Sequence, residues 1–110
     1  MTKAAHGVLI AAALSVNALA TRHAHADDVE RGRALAEKLC AVCHLNPGQG
    51  EKTGVDEVPG FVAVAKRKSQ TFRGIVDWLK SVPPMMPDHH LTQDEMFALA
   101  AFILSLRDKP

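Results

Sequence analysis

The chain has 110 residues, with 13 Lys and Arg against 12 Asp and Glu. This near-neutral balance argues against a nucleic-acid-binding domain, which is usually strongly basic. The length fits one small domain, and a domain of this size buries a thin core that commonly needs a disulfide, a metal or a cofactor for support.

Residues 1–26 are typical of an export signal. Lys3 gives a basic start, residues 8–20 are mostly apolar, and residues 24–26 form a small-x-small cleavage site. The apolar run is shorter than the roughly 20 residues that span a bilayer. We therefore expect cleavage, a periplasmic location and a mature domain over residues 27–110 with no stable membrane insertion. Retention of the segment as an anchor is the alternative.

Loss of the signal changes the charge and the histidine content. Lys3 and Arg22 leave with it, so 11 cationic residues face 12 acidic ones and the net charge becomes about −1. His44, His89 and His90 are the histidines that remain. Any histidine ligand of the mature domain must come from these three.

Helical periodicity, with apolar residues three and four apart, recurs along the mature segment. It predicts helices over residues 28–39, 61–65 and 69–81. Asp27 or Asp28 is the expected N-cap of the first helix. No stretch shows the alternation of a β-strand, so the predicted fold class is all-α.

Two segments are predicted to be loops. Residues 45–59 contain three glycines and two prolines among polar residues. Further along, Pro83, Pro84 and Pro87 forbid a regular helix in the sequence "PPMMPDHHL".

The last helix has a clear beginning. Thr92 and Glu95 stand at the two positions of a capping box, in which their side chains satisfy backbone N–H groups at the helix start. Arg107 and Lys109 suit the dipole at the C-terminal end. Apolar residues cover much of the circumference, so the helix is expected to be buried. They are Met96, Phe97, Leu99, Ala100, Phe102, Ile103, Leu104 and Leu106.

Both cysteines of the chain lie in the sequence "CAVCH", at the end of the first predicted helix. Cys40 and Cys43 are three apart and share one face of a helical turn, so two thiols can add to the two vinyl groups of one haem. His44 follows at once and can reach the iron from the same side. This spacing is the signature of c-type haem attachment.

Three other uses of these cysteines agree less well with the sequence. A Cys-x-x-Cys redox motif needs a βαβ context. A structural zinc site needs four ligands, and only His89 and His90 could complete the set. A disulfide in an exported protein would leave the adjacent histidine unexplained. Covalent haem, which would also fill a thin core, is the preferred interpretation.

Four more sequences follow the haem motif in order: "VPGF", "FRGIVDWLKS", "MMP" and "LTQDEMFALAAFILSL". With that motif they make nearly the whole mature segment resemble the class I c-type cytochromes in their small bacterial form. The resemblance implies a cytochrome c fold, in which three to five helices wrap around one covalently attached haem c. It also implies that Gly32 of the first helix lies against Phe102 of the last, where a side chain would block close approach. The family more often has tyrosine at the Phe102 position.

The resemblance implies two further cofactor-binding residues. Pro59 stands where the family's proline carbonyl accepts a hydrogen bond from the ligating histidine, here His44. Such a bond fixes the imidazole and raises its basicity. Trp78 stands where an aromatic often packs beside the haem, although an ordinary core position is an equal alternative because an indole would be buried in either case.

A methionine directly before a proline is the second iron ligand that the resemblance implies. Met86 precedes Pro87, which restricts Met86 to extended backbone, and His/Met ligation raises the reduction potential. Met85 is the second candidate and is otherwise expected to be an apolar lid residue. His89 and His90 are expected to be exposed turn residues, and a bis-histidine site is the minority alternative.

Two surface features could serve a redox partner. A cationic cluster could steer an acidic partner, although a solvated helix end is the preferred interpretation. Phe61, Met85 and Met86 could form part of an apolar patch near the haem edge, since electron-transfer contacts are small. The cationic residues are Lys66, Arg67, Lys68, Arg73 and Lys80.

The sequence therefore predicts a periplasmic mono-haem cytochrome c with His44 and Met86 as iron ligands. We expect a monomer that carries one electron between redox partner proteins, binds no nucleic acid and is not an enzyme. His/Met ligation leaves no open iron position for peroxidase or oxygenase chemistry. One alternative is a dedicated haem subunit of a periplasmic dehydrogenase or oxidase complex. Another is a haem sensor in which Met86 leaves and a gas binds.

Overall fold

The computed structural model describes residues 18, 24–44 and 58–108 of the chain. Over these residues the backbone forms four helices and no strand, which confirms the all-α prediction. Most of the predicted export signal and of the loop over residues 45–59 lies outside the described residues. The helices are α1 (helical residues 24–35, continued by the π-helical turn Ala36–Cys40), α2 (Phe61–Ala65), α3 (Phe72–Lys80) and α4 (Gln93–Ser105). Within the described ranges, none of them combines the length and apolar composition that a bilayer span requires.

Helix α1 extends beyond the prediction at both ends. Residues 24–28 are helical, so neither Asp27 nor Asp28 is an N-cap. The two alanines in this stretch are strong helix formers and continue the helix through the aspartates. At the other end the Ala41 N–H donates to the Ala36 carbonyl, five residues back, at 3.0 Å. This wider turn carries the helix as far as the first cysteine.

Helix α2 has the predicted bounds, whereas α3 is shorter than predicted at both ends. Ser69 has a left-handed φ of 64°, so the chain is not helical there. Thr71 is the N-cap instead, and its hydroxyl accepts a hydrogen bond from the Gly74 N–H at 2.9 Å. Ile75 and Val76 are the buried residues of α3.

Helix α4 lies at the centre of the core. Both hydrogen bonds of the predicted capping box are present: the Glu95 N–H donates to Thr92 Oγ1 at 3.2 Å, and the Thr92 N–H donates to Glu95 Oε1 at 2.9 Å. All of residues 98–103 are buried. Six consecutive buried residues cover the whole circumference of a helix, because α4 packs against α2 and α3 as well as α1.

Helices α1 and α4 cross at Gly32, as predicted. A Cβ atom on Gly32 would clash with the Ala98 carbonyl oxygen and lie 2.6 Å from the carbonyl carbon of Ala98 and 2.7 Å from Phe102 Cβ. Only glycine allows this approach. Phe102 is fully buried, and the guanidinium carbon of Arg33 lies 5.6 Å from the centroid of its ring.

Candidate haem-binding site

The end of helix α1 places two thiols and an imidazole on one turn. The Cys40 carbonyl accepts hydrogen bonds from the Cys43 N–H at 3.1 Å and from the His44 N–H at 2.8 Å. Cys40 is half-buried, Cys43 is exposed, and neither is in a disulfide. Burial raises the pKa of the Cys40 thiol.

Two contacts fix the orientation of the His44 ring. Its Nδ1 lies 2.7 Å from the Pro59 carbonyl oxygen. Because a carbonyl oxygen can only accept, Nδ1 carries the proton, and Nε2 of the neutral ring has the free lone pair. The ring also stacks on Phe61, with centroids 5.2 Å apart and an interplanar angle of 18°. His44 can therefore offer Nε2 to a metal.

Two adjoining cavities of about 490 and 400 Å³ open beside His44, and we call them together the crevice. Cys40 and His44 line both cavities, and Cys43 lines the larger one. Residues 82–91, which we call the strap, contribute Pro83, Met85 and Met86 to the lining of both. The volumes are in the range of pockets that hold small molecules and cofactors.

The strap makes a tight turn before Met86. The Met86 N–H donates to the Pro83 carbonyl at 3.1 Å, which places Pro84 and Met85 at the centre of the turn. Met85 has a φ of 75°, the left-handed value that a type II turn needs at its third position. The Met85 side chain is 97% exposed, whereas Met86 is half-buried. Met86 is thus the more enclosed of the two candidate ligands.

The other predicted site residues lie at the edges of the crevice. Trp78 lines the smaller cavity and is 55% exposed, so the indole is not buried, although both interpretations of this residue expected burial. His89 and His90 line the larger cavity and are exposed. The His90 N–H donates to Asp88 Oδ1 at 2.8 Å, and the His90 Nδ1 lies 3.6 Å from Asp88 Oδ2.

Phe61 is not part of an apolar surface patch, contrary to the prediction. Only 4% of it is exposed, because its ring lies between His44 and Phe102. The centroids of Phe61 and Phe102 are 6.0 Å apart in an edge-to-face arrangement. A line of three rings therefore joins His44 to the centre of the core. The sequence signal for this role is the position of Phe61 two residues after Pro59.

The predicted cationic cluster divides into separate groups. Arg67 and Lys68 line the smaller cavity, and Lys80 lines the larger one. Arg73 lines neither, and its Nε lies 3.6 Å from a carboxylate oxygen of Asp77. All five cationic residues are exposed, which agrees with the preferred interpretation of solvated helix ends.

These residues fit a covalently attached haem. Two unpaired thiols, an imidazole with a free Nε2 and a half-buried thioether all line one largely apolar crevice. Thiols can add to vinyl groups, and imidazole and thioether are the axial ligands of low-spin haem iron in cytochromes c.

Comparison with known proteins identifies the class. A family profile described as "Cytochrome C oxidase, cbb3-type, subunit III" matches residues 27–103, so the chain belongs to this family of cytochrome c domains. Cytochrome c-552 of Bradyrhizobium diazoefficiens is 34% identical over 100 residues, which cover 91% of this chain and 89% of that protein. No solved structure matches the chain significantly. The chain is a small mono-haem cytochrome c, an electron carrier rather than an enzyme.

Proposed function

We propose that the chain is a periplasmic electron carrier in which Cys40 and Cys43 hold one haem, with His44 and Met86 as the ligands of its iron. The observation that carries the proposal is the composition of the crevice. Its lining includes both thiols, the imidazole oriented by the Pro59 carbonyl and the half-buried thioether. Export is proposed from the signal-like N-terminal sequence.

Each residue of the site has a distinct part in electron transfer. When bound, haem supplies one-electron cycling between ferrous and ferric iron. The Pro59 carbonyl accepts the Nδ1 proton of His44, which keeps the ring oriented and makes Nε2 a stronger donor. The Met86 thioether favours the reduced iron. The apolar side chains of the crevice, with Phe61 behind His44, exclude water and disfavour the additional positive charge of the ferric form.

Two methionine variants test the ligand assignment in protein matured with covalent haem. Met86→Ala should lose the weak red band of ferric His/Met haem and have a lower reduction potential, because the ligand that favours ferrous iron is removed. Met85→Ala, the matched control in the same turn, should keep both properties. A red band that persists in Met86→Ala would refute Met86 as the ligand. Absence of covalent haem from the wild type would refute the proposed function itself.

A dedicated haem subunit is the second candidate function. It is favoured by the family match, since that family is described as subunit III of a cbb3-type cytochrome c oxidase. Purification from native cells separates the two functions. Co-purification of the chain with a catalytic subunit in a constant molar ratio supports the dedicated subunit. Recovery of the chain as a free protein that reduces several acceptors supports the independent carrier.

The location and the processing of the chain are tested together. We expect protein from the periplasmic fraction to begin at Asp27, as measured by intact mass, and to be monomeric by light scattering. Retention of residues 1–26 on membrane-bound protein would support the anchor instead.

A further inference from the structure

The three methionines of residues 27–110 differ in their exposure to solvent. Met85 is 97% exposed, whereas Met86 and Met96 are half-buried. All three line the larger cavity, but Met96 also packs against the hydrophobic core. A small reagent that arrives from solvent at the mouth of the crevice therefore meets the thioether of Met85 first.

Neither the backbone nor the packing of the strap favours methionine at position 85. The residue stands at the corner of the turn that the Met86 N–H closes on the Pro83 carbonyl. Its φ of 75° is left-handed, and glycine or asparagine adopts this conformation more readily. Within the described residues, Met85 is not among the side chains that pack against the hydrophobic core. Such an unfavourable backbone position points to a function of the side chain.

The thioether of methionine has one characteristic reaction with hydrogen peroxide. The sulfur attacks one peroxide oxygen, so that an S–O bond forms and the O–O bond breaks. The departing oxygen takes the proton of the transferred hydroxyl and leaves as water. The sulfur loses two electrons, the peroxide gains them, and the product is methionine sulfoxide.

Oxidation would have different consequences at the three methionines. A sulfoxide is polar, so at Met96 it would disturb the packing against the core. At Met86, where one sulfur lone pair is given to the iron under the proposed function, it would remove the ligand that favours ferrous iron. At Met85 the polar product would face water, and both the core packing and the iron ligation would be preserved.

We propose that Met85 is the oxidation site of the chain, where the thioether takes the oxygen atom of hydrogen peroxide and thereby spares the ligand Met86. The sparing role rests on the proposed function, because it requires Met86 to be the ligand. The preference for Met85 rests on exposure alone. Since sulfoxides are reduced enzymatically and Met85 is accessible, the thioether at this site can be restored.

The test treats haem-loaded protein with one equivalent of hydrogen peroxide per chain until the peroxide is consumed. Fragment masses of proteolytic peptides then distinguish oxygen on Met85 from oxygen on the adjacent Met86. Met85 sulfoxide should exceed Met86 sulfoxide by about tenfold, because susceptibility follows exposure. The weak red band of ferric His/Met haem should persist. The Soret band, recorded in parallel, reports whether the haem itself is intact.

Met85→Leu isolates the sulfur, because leucine offers a similar apolar surface without a thioether. At the same dose this variant should contain several-fold more Met86 sulfoxide than the wild type, and its red band should weaken. Met96→Leu is the matched control, because it removes a half-buried methionine of the same cavity. It should keep Met85 as the principal target and retain the red band.

Oxygen mainly on Met86 or Met96 of the wild type would overturn the inference. A red band that is equally resistant in Met85→Leu and in the wild type would refute the sparing role. Loss of the band on oxidation of Met85 alone would also refute that role. Failure of the ligand assignment is recognised separately, by a red band in untreated Met86→Ala, and it leaves the preference for Met85 to be judged by the peptide masses.

Discussion

At Gly32 the absence of one carbon atom allows two helices to touch. The atoms that a Cβ would meet include the Ala98 backbone, which cannot rotate away as a side chain can. Gly32→Ala must therefore separate α1 from α4. We expect the free energy of unfolding to fall by about 2–3 kcal/mol, as for other overpacked contacts. Denaturant titration of the haem-loaded protein measures it.

Gly74 gives the matched control for that substitution. A Cβ there would lie 3.1 Å from Thr71 Oγ1 and 3.4 Å from Gln70 Oε1, both atoms of side chains. Small rotations can relieve these contacts, and alanine is the better helix former, so Gly74→Ala should change stability by less than about 1 kcal/mol. Equal losses in the two variants would contradict the special role of Gly32.

Met85 combines a strained backbone with an exposed side chain. Its φ of 75° disfavours any residue with a Cβ, and its side chain, 97% exposed, loses little packing on removal. Met85→Gly should therefore raise the free energy of unfolding by about 0.5–1 kcal/mol. Met85→Ala keeps the Cβ and should show no such gain. Destabilisation of the haem-loaded Met85→Gly variant would instead indicate that Met85 packs on the haem as a lid.

At the level of the elements, the capping box of α4 predicts a pH dependence. The Thr92 N–H, and to a lesser extent the Thr92 side chain, lowers the pKa of Glu95 below its ordinary value of 4.5. A carboxyl whose pKa is lower in the folded chain stabilises the fold above its unfolded pKa. That contribution is lost as the pH falls through the folded pKa. The stability difference between wild type and Glu95→Gln should therefore be largest near neutral pH and shrink below 4.5.

Denaturant titrations of both proteins across the acid range measure this difference. Thr92→Ala/Glu95→Gln, compared with Thr92→Ala, isolates the backbone donor. Alanine at position 92 keeps the N–H that bonds to Glu95 Oε1, so this pair should retain most of the pH dependence. A difference between wild type and Glu95→Gln that stays constant into strong acid would contradict the assigned role of the capping box.

Helix ends that depend on neighbouring residues were predicted more accurately than helix ends that depend on contacts far along the chain. The start of α4 was predicted correctly because its signal is contained in four consecutive residues. The predicted start of α3 at Ser69 was wrong because Ser69 adopts a left-handed φ. Its loop is held by a hydrogen bond from Arg107, far along the chain, to the Gln70 carbonyl. In the unprocessed chain, Ala24 and Ala26 extend α1 through Asp27 and Asp28, so neither aspartate is its cap.

For the molecule as a whole, the crevice predicts that the fold depends on a bound cofactor. Cavities of about 490 and 400 Å³ adjoin the thin core, and their largely apolar lining would face water in a haem-free chain. Cys40→Ala/Cys43→Ala should therefore have lower helicity by circular dichroism and a broad thermal transition. Cys43→Ala, which keeps one attachment point, should be intermediate. Sharp, cooperative unfolding of the double variant would show that the protein part folds without haem.

Part of the candidate site could be predicted because Cys40, Cys43 and His44 lie within five consecutive residues. The spacing of these three residues is itself the signature of haem attachment. The bond from His44 to Pro59 was expected only through resemblance to a family. The contacts of Arg107 join residues 37 and 42 positions apart, and no periodicity or motif indicates such a pair.

The π-helical turn Ala36–Cys40 affects how two residues of α1 are oriented: Gly32, which packs against α4, and Cys40, the first cysteine of the haem motif. A π turn takes up about one residue more than an α turn. Gly32 and Cys40 are eight positions apart. Because the π turn takes up one of these positions, the two residues point in nearly the same direction, as residues seven apart do in an ordinary α-helix, where seven residues make about two turns. The packing glycine and the first thiol therefore share one side of the helix. A related chain with one residue fewer between them could keep this alignment with an ordinary α-helix, so the distance between the packing site and the haem motif can vary by one residue without rearranging either.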